Sequence, residues 1–297
     1  MSQRLNIVAA LALALPLASP SAPAELKPHT LEAFLTYATA TESRYLAEAA
    51  DDDKFLYIDQ LTGADRDEAI SHLMRGEVLM ERLQTRAEDG SEIKIKDGMI
   101  HHWVGTVFIP GATLEETLAL VQDYGRHAEI YAPQVEQARI IRRDGDTFTV
   151  FYRFRKKKVL TAVHNTTHEA DYYRRGPTRA YSISKSTRIR EVQNPGESDE
   201  RELPEDNNRG LLWGINSYWK FFETDGGTFV ESESVSLTRS IPILAVPIIR
   251  PFVTGVPKEL LTFTLENTRE QLASSEASQS PLTARAFLCV LMARAVG

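Results

Sequence analysis

The spacing of hydrophobic residues is helical over the first part of the chain. Between residues 25 and 83 apolar positions recur every three or four residues, with Thr30 as a candidate N-cap. The stripe consists of Leu31, Phe34, Leu35, Ala38, Tyr45 and Leu46. A second short helix is predicted over residues 64–75. We interpret residues 25–97 as an N-terminal helical brace for the rest of the chain.

The pattern then changes to the two-residue alternation of strands. Residues 99–109 predict a strand, and Thr113 with Glu116 forms a capping box that begins a helix. Further strands are predicted over residues 135–142, 148–154, 159–173, 179–191, 211–221 and 228–239. One long helix is predicted over residues 257–273, beginning with Pro257 in its first turn. The predicted fold class is α+β: a curved antiparallel sheet wrapped around a C-terminal helix, which leaves a hollow because one helix cannot cover a sheet that twists.

The first 24 residues have the parts of a secretory signal peptide. Arg4 gives a weak positive start, residues 5–18 are apolar apart from Asn6, and Ala22-Pro23-Ala24 offers a cleavage site. The apolar run is shorter than the roughly 20 residues that span a bilayer, although an uncleaved anchor is the alternative. The sequence therefore predicts a periplasmic or secreted protein. Cys289 is its single cysteine, so an internal disulfide is excluded.

Charge and motifs exclude several function classes. The net charge is −7, which disfavours a nucleic-acid partner. No nucleotide-binding, hydrolase or zinc motif is present, so no cofactor is predicted. His101 and His102 are adjacent on a strand and face opposite ways, while His164 and His168 are about 13 Å apart at ~3.3 Å per residue. No metal site is predicted.

One stretch of the sequence resembles a known superfamily. The run from Val107 to Glu115, Asp123-Tyr124 and Tyr131-Ala132-Pro133 resembles the first strand and helix pair of START-like (SRPBCC) proteins. Residues 213–239 are similar to the last hairpin of that superfamily. The resemblance covers about residues 99–273 and carries no catalytic signature, and the residues before Met99 depart from the minimal family. It implies a helix-grip domain, placed at residues 98–273, with an internal cavity for a sterol, lipid, quinone or polyketide.

The candidate ligand-binding residues come from the apolar sheet face and from the last helix. Aromatic and aliphatic side chains suit an apolar ligand, although ordinary core packing is the alternative for each. The candidates are Trp103, Tyr152, Tyr181, Lys185, Trp213, Trp219, Phe221, Glu233, Leu261 and Leu265.

Residues 241–256 are almost entirely apolar, with three prolines that interrupt regular structure. An apolar connection next to the last helix is typical of a gate loop or of a lip that contacts a membrane transiently, and also of a loop packed on the core. The candidate gate residues are Ile243, Val246, Ile249 and Phe252.

Charged residues fall on strand faces that otherwise read as apolar. Lys185, Glu231 and Glu233 either pair inside the cavity, where they contact a ligand or act as acid and base, or are turned outward by strand curvature. The basic run at residues 155–158 reads as a solvated hairpin, with anionic lipid contact as the alternative. The acidic segment at residues 197–206 reads as a solvent-facing loop.

The leading hypothesis is an exported protein that holds a hydrophobic small molecule between the sheet and the C-terminal helix. A cyclase or hydrolase using Lys185, Glu231 or Glu233 in the same cavity is the first alternative. The second is an interaction protein that docks on a membrane or partner through its apolar loop and its C-terminal tail, residues 274–297, where residues 284–296 form an apolar helix candidate. The sequence does not predict the oligomeric state.

Overall fold

The computed structural model describes residues 25–157, 161–205, 207–240 and 255–274. The predicted signal peptide, the four candidate gate residues and the apolar segment at residues 284–296 lie outside the described residues. None of the described helices is both long and apolar enough to cross a membrane.

Helices flank a large sheet. The helices are α1 (Pro28–Ala50), α2 (Gly63–Met74), α3 (Leu114–Gln122), α4 (His127–Ile130) and α5 (residues 255–274), with 3-10 turns at Tyr57–Gln60 and Tyr124–Arg126. The strands are β1 (Leu79–Arg82), β2 (Gly98–Pro110), β3 (Val135–Asp144), β4 (Thr147–Lys157), β5 (Thr161–Arg175), β6 (Arg179–Gln193), β7 (Arg201–Glu202), β8 (Gly214–Thr224) and β9 (Gly227–Arg239).

The strands form one antiparallel sheet. Its order among the described residues is β1-β2-β9-β8-β6-β5-β4-β3, and β7 pairs with β6. Helix α5 packs on one face and α1 on the other, so we call these the α5 face and the α1 face. The predicted α+β class and helix-grip arrangement are confirmed.

Two glycines allow the two helices to lie against the backbone of the sheet. A Cβ at Gly105 would come within 2.6 Å of the Leu265 side chain, and one at Gly214 within 2.7 Å of the Phe34 ring. Leu265 belongs to α5 and Phe34 to α1. Each helix therefore has a contact point on its own face where only glycine fits.

The N-terminal segment differs from the predicted helical brace in two respects. Helix α1 begins at Pro28, so Thr30 is not its N-cap and instead donates to the Lys96 carbonyl at 2.8 Å. The segment also supplies β1, which pairs with β2 at the edge of the sheet. Residues 79–82 read as helical because a four-residue edge strand leaves too little alternation to detect.

The buried side of α1 was also only partly predicted. Phe34, Ala38 and Tyr45 are buried as expected, whereas Leu31, Leu35 and Leu46 are exposed. Three polar residues of α1 are buried instead of the leucines: Thr30, Thr41 and Glu48.

The described part of the acidic segment is exposed to solvent, as its composition predicted. It also pairs with the sheet, where Glu200 accepts from Arg153 at 2.9 Å. Glu202 pairs with Arg188 in the same way, and Asn165 donates to Glu202 at 2.8 Å. Composition did not reveal these ion pairs, because the arginines lie on other strands.

Candidate functional site: the sheet face beneath the last helix

A row of serines crosses the α5 face. Ser184 on β6 pairs with Ser217 on β8, which pairs with Ser234 on β9, and Trp103 on β2 ends the row. Directly paired residues of neighbouring antiparallel strands lie on the same face with Cβ atoms about 5 Å apart. Three hydroxyl groups are therefore spaced at about the distance between strands.

Two further rows run parallel to the first. In one, Ser182 and Ser232 flank Trp219. In the other, Ser236 lies between His101 and Ile215. The middle of the α5 face is thus lined by short hydroxyl side chains with aromatic and aliphatic neighbours, rather than by the large apolar residues of a filled core.

These hydroxyl groups have no hydrogen-bond partner in the part of the chain that the structure describes. Among the described residues, no side-chain hydrogen bond is made by Ser182, Ser184, Ser217, Ser232, Ser234 or Ser236. Ser182 and Ser232 are only 2% and 1% exposed. Ser186, by contrast, accepts from the Ile215 amide at 3.0 Å. Hydroxyl groups without a protein partner can donate to and accept from a ligand, so this row is a candidate binding surface.

The aromatic residues around the serines are only half-buried. Residues that keep intermediate exposure on this face are Trp103, Tyr152, Ser184, Ile215, Ser217, Trp219 and Ser234. Neighbouring positions nearer α3, such as Val107 and Val230, are completely buried. The face is therefore completely buried at one end and partly exposed in the middle. We call the part lined by Trp103, Ser184, Ile215, Ser217, Trp219 and Ser234 the serine groove.

Helix α5 forms one wall of the groove. Leu261 and Leu265 pack with Phe221 in the filled part of the face, and the Tyr131 and Thr268 hydroxyls are 3.1 Å apart. At the other end of the helix, the Lys258 ammonium lies 5.3 Å from the centre of the Trp103 ring. The helix is thus fixed over the filled part of the face, and its first turn lies beside Trp103.

A tyrosine–histidine pair lies on the same face, towards β4. The Tyr152 hydroxyl is 2.8 Å from His127 Nδ1, and the Tyr152 ring stacks on Phe154. Burial raises the pKa of Tyr152 and lowers the pKa of His127 to about 4. Both groups are therefore neutral at pH 7 and hold each other in place.

Two histidines beside the serine groove, His101 and His168, are neutral as well. Burial lowers the pKa of His101 to about 4, assisted by the charge of Arg82, and lowers the pKa of His168 to about 4. His101 Nε2 is 3.0 Å from the Thr238 hydroxyl, and His168 Nε2 is 3.0 Å from that of Thr166. The side chains that border the serines consequently carry no charge at neutral pH.

Six of the ten candidate ligand-binding residues lie between the sheet and α5. Trp103, Tyr152, Trp219 and Phe221 are on the α5 face, and Leu261 and Leu265 belong to α5. Phe221 and Leu265 are completely buried in the filled part of the face. Their role as ligand contacts stays a prediction.

The structure does not bring the other four candidates together with these six, and of the two alternatives left open for Lys185 and Glu233 it shows a position outside the groove. Tyr181 and Trp213 pack with α1 residues. The Lys185 ammonium is exposed and lies 2.7 Å from the Glu42 carboxylate on α1. Strand parity alone did not reveal this, because the side chains that share a face with Lys185 are covered by the N-terminal helix and not by the last helix.

Glu231 and the fourth candidate, Glu233, are buried in an ionic cluster under α1, remote from the groove. Lys220 Nζ lies 2.8 Å from Glu48 and 3.5 Å from Glu231. Glu233 contacts Arg44 and accepts from His102 Nε2 at 2.6 Å. The cluster connects α1 to β2, β8 and β9, and its buried charges have partners.

The two carboxyl groups have opposite pKa shifts. Burial raises the pKa of Glu231, and Lys220 offsets this only in part. Burial also acts to raise the pKa of Glu233, but the His102 hydrogen bond and the charge of Arg44 outweigh it and lower that pKa.

A separate cleft of about 70 Å³ lies between α3 and the C-terminal end of β5. It is lined by Leu118, Gln122, Asp146, Tyr172, Tyr173, Arg174 and Ala180. A cavity that binds benzene measures about 150 Å³. This cleft is therefore too small for an organic ring and is not a candidate ligand site.

Sequence reasoning did not identify the serines. Their signal was present as Ser182-x-Ser184-x-Ser186 and Ser232-x-Ser234-x-Ser236, in which every second residue is a serine. A two-residue repeat of small hydroxyl residues places all of them on one face of a strand. That face would normally be assigned to solvent, and the register shows that it faces α5.

A scan against protein-family models and a search of curated proteins found no match to the chain. Solved structures similar to it include a protein from Thermus thermophilus, at 15% identity over 60% of this chain and 99% of that chain, with a TM-score of 0.42. The Zhui aromatase/cyclase from Streptomyces sp. R1128 matches at 15% identity over 59% and 94%, with a TM-score of 0.41. A STAR-related lipid transfer protein from Xanthomonas axonopodis matches at 14% identity over 65% and 98%, with a TM-score of 0.40. The similarity is at the level of the fold and identifies no ligand for this chain.

Proposed function

We propose that the protein holds an apolar small molecule in the serine groove, between the sheet and α5. The observation that carries this proposal is the partial exposure of Trp103 and Trp219 beneath a helix that elsewhere packs closely on the sheet. Apolar rings gain about 25 cal/mol per Å² when they leave water. A ligand that covers the two indole rings therefore binds mainly through the hydrophobic effect.

The indole N–H groups support the same conclusion. Trp213, on the α1 face, donates its N–H to Asn208 at 3.1 Å. Among the described residues, neither Trp103 nor Trp219 has a hydrogen-bond partner for its indole N–H. Buried tryptophans usually find such a partner, so the two groove tryptophans are suited to a ligand that is apolar with a few polar atoms.

Substituting a large side chain into the groove tests the proposal. Ser184→Phe places a ring among the groove residues, while Lys185→Phe changes the next residue of the same strand, which faces α1 and is exposed. We expect the first variant to lose uptake of the neutral apolar dye Nile red and the second to retain it. The fluorescence of the dye measures binding, and circular dichroism checks folding.

A second measurement uses the protein as its host produces it. Native mass spectrometry of the purified protein is expected to show an added apolar species, which the Ser184→Phe variant lacks. If only the bare chain is found, and neither wild type nor Lys185→Phe takes up the dye, the binding proposal fails.

The contacts do not favour the enzyme alternative. Glu231 and Glu233, its candidate acid and base, lie under α1 with partners, and Lys185 is at the surface. A ligand in the serine groove is separated from all three by the sheet. Holding the ligand is therefore the function that the described contacts support best.

We also propose that the protein is exported, on the strength of the N-terminal sequence. A fusion of residues 1–30 to alkaline phosphatase, which is active only outside the cytoplasm, tests this. Activity in intact bacterial cells is expected. A fusion that places Asp at two positions of the apolar run should abolish it, and an inactive parent fusion would contradict export.

A further inference from the structure

The outer edge of β3 carries two exposed isoleucines. This strand is at one end of the sheet, so its outer side has no neighbouring strand among the described residues. Ile140 and Ile141 are 41% and 54% exposed there. Ile141 is the extra residue where the register with β4 shifts between Ile140 and Arg142. Such a bulge bends a strand and re-aims its side chains, so two consecutive apolar residues can both face solvent.

Three arginines surround the two isoleucines. Arg139, Arg142 and Arg143 are all exposed. The guanidinium groups of Arg139 and Arg143 lie over phenylalanine rings of β4, at 3.8 Å and 4.6 Å from the ring centres. Neither pairs with a carboxylate among the described residues, and Arg142 has an exposed partner, Asp144, at 3.5 Å. The β3 edge, residues 139–143, therefore presents apolar side chains between positive charges.

We infer that the β3 edge docks the protein on an anionic lipid bilayer. Apolar side chains gain free energy at the boundary between headgroups and acyl chains, and arginines beside them contact the anionic headgroups. The whole chain has a net charge of −7, so an anionic bilayer repels most of its surface. The locally basic β3 edge is the part that can approach such a bilayer. This contact is separate from the serine groove and from the candidate gate residues.

The exposed leucines of α1 have different neighbours. Leu31 and Leu35 are exposed to the same extents as the two isoleucines, 41% and 54%. Glu32 lies beside Leu31 and one turn before Leu35, and Lys27, which precedes the helix, pairs with Asp97 at 3.3 Å. Apolar exposure is thus matched between the two places while the charge is not, which makes these leucines a control for the β3 edge.

Another strand is a poorer occupant of the β3 edge than a bilayer. The register of β3 shifts twice, between Val135 and Gln137 and between Ile140 and Arg142. Bulges and charges at a sheet edge oppose the addition of a strand. A second copy paired antiparallel about the isoleucines would place arginines of the two copies opposite one another, and like charges at directly opposite positions are destabilising.

Sedimentation of the full-length protein with lipid vesicles tests the inference. The probes are vesicles of phosphatidylcholine alone and vesicles of phosphatidylcholine and phosphatidylglycerol in equal parts. We expect the protein to bind the anionic vesicles and not the neutral ones. The affinity should fall in about 1 M salt, where the Debye length is roughly 3 Å.

The apolar contribution is tested with a matched pair of variants. The double variant Ile140→Ser, Ile141→Ser should bind the anionic vesicles at least about tenfold more weakly than wild type, because it loses the burial of two apolar side chains. The double variant Leu31→Ser, Leu35→Ser removes equally exposed side chains and should bind as wild type does. Circular dichroism checks that both variants are folded.

The charge contribution is tested with a second matched pair. Each basic residue near an anionic membrane surface contributes roughly a factor of five in affinity. The triple variant Arg139→Gln, Arg142→Gln, Arg143→Gln should therefore lose about a hundredfold. Lysine at the same three positions keeps the charge and should retain most of the binding.

Several results would overturn the lipid contact. These are wild-type protein that binds neither kind of vesicle or both kinds equally, isoleucine variants that bind as tightly as wild type, and an equal loss in the leucine variant. Sedimentation velocity without lipid examines the other occupant. A wild-type dimer that the isoleucine variant fails to form would assign the β3 edge to a second copy of the chain instead.

Discussion

The α1 face and the α5 face of the sheet carry polar groups of different kinds. On the α1 face, Lys220, Glu231 and Glu233 are at most 2% exposed, and each contacts an opposite charge or a hydrogen-bond partner. On the α5 face, Ser184, Ser217 and Ser234 are only partly buried, and their hydroxyls have no partner among the described residues. Buried charges that pair with one another hold elements together, whereas partly exposed hydroxyls without a partner are available to a ligand. The ionic cluster is therefore structural and the serine groove is the candidate site.

The largest expected effect comes from removing the buried cation of the α1 face. Lys220→Met leaves Glu48 and Glu231 without their shared partner, which should cost about 3–5 kcal/mol of the free energy of unfolding. Denaturant unfolding measures the change. Lys185→Met, which breaks an exposed pair with Glu42, should cost about 1 kcal/mol or less.

A compensating variant strengthens this test. Adding Glu231→Gln to Lys220→Met removes the carboxylate that has lost its cation and should recover much of the loss, while Glu48 keeps its pair with Arg44. A cost for Lys220→Met no larger than that for Lys185→Met would show that the α1 face does not depend on its charges, and the contrast between the faces would disappear.

The next effect concerns pH and the histidines of the α5 face. The folded protein lowers the pKa of His168 from 6.5 to about 4 by burial, so the unfolded chain binds the proton more readily. Stability from this residue is complete above pH 6.5 and is lost as the pH falls towards 4. At pH 5 the loss is roughly 2 kcal/mol, at 1.36 kcal/mol per pH unit.

The variant His168→Gln should therefore make the fall in unfolding free energy between pH 7 and pH 5 smaller by about 2 kcal/mol. The unfolding free energies of the variant and the wild type at pH 7 are compared separately, since loss of the contact with Thr166 changes the free energy equally at pH 7 and at pH 5. The exposed residue His29 provides the control His29→Gln. An unchanged pH dependence in His168→Gln would mean that His168 is not buried as a neutral group.

The smallest effect is expected at the surface pairs of the acidic segment. Glu202→Gln weakens the contacts of Glu202 with Arg188 and Asn165, and should cost about 1 kcal/mol or less. The cost should shrink further in about 1 M salt, where the Debye length is roughly 3 Å. A salt-independent loss of several kcal/mol would show that this segment resembles the cluster under α1.

The positions of the helices and strands could be predicted from the sequence better than the side of the sheet on which each residue lies. Strand alternation and the Thr113–Glu116 capping box gave β2 and α3 within one residue, because these signals are local. The side of the sheet that each residue occupies is not local. Tyr181 and Lys185 share a parity, but only the chain's path decides whether α1 or α5 covers that parity.

Prediction of the site was limited by the assumption that apolar residues mark a binding face. Trp103 and Trp219 were found in this way, whereas Ser217 and Ser234 were overlooked because small polar residues usually indicate solvent. Conversely, Glu233 was assigned to the cavity because its strand neighbours are apolar. Its partner Arg44 lies 189 residues away in the sequence, a separation that no spacing argument can bridge.

That same separation has a consequence for the order in which the molecule assembles. A chain that emerges from the ribosome or a translocation channel with its N-terminus first presents α1 long before β8 and β9 exist. Until residue 233 has emerged, Arg44 and Glu48 lack their strand partners, and the apolar side of α1, with Phe34 and Tyr45, has no sheet to cover it. Helix α1 must therefore dock late, and a holding chaperone would find its target in the nascent N-terminal segment.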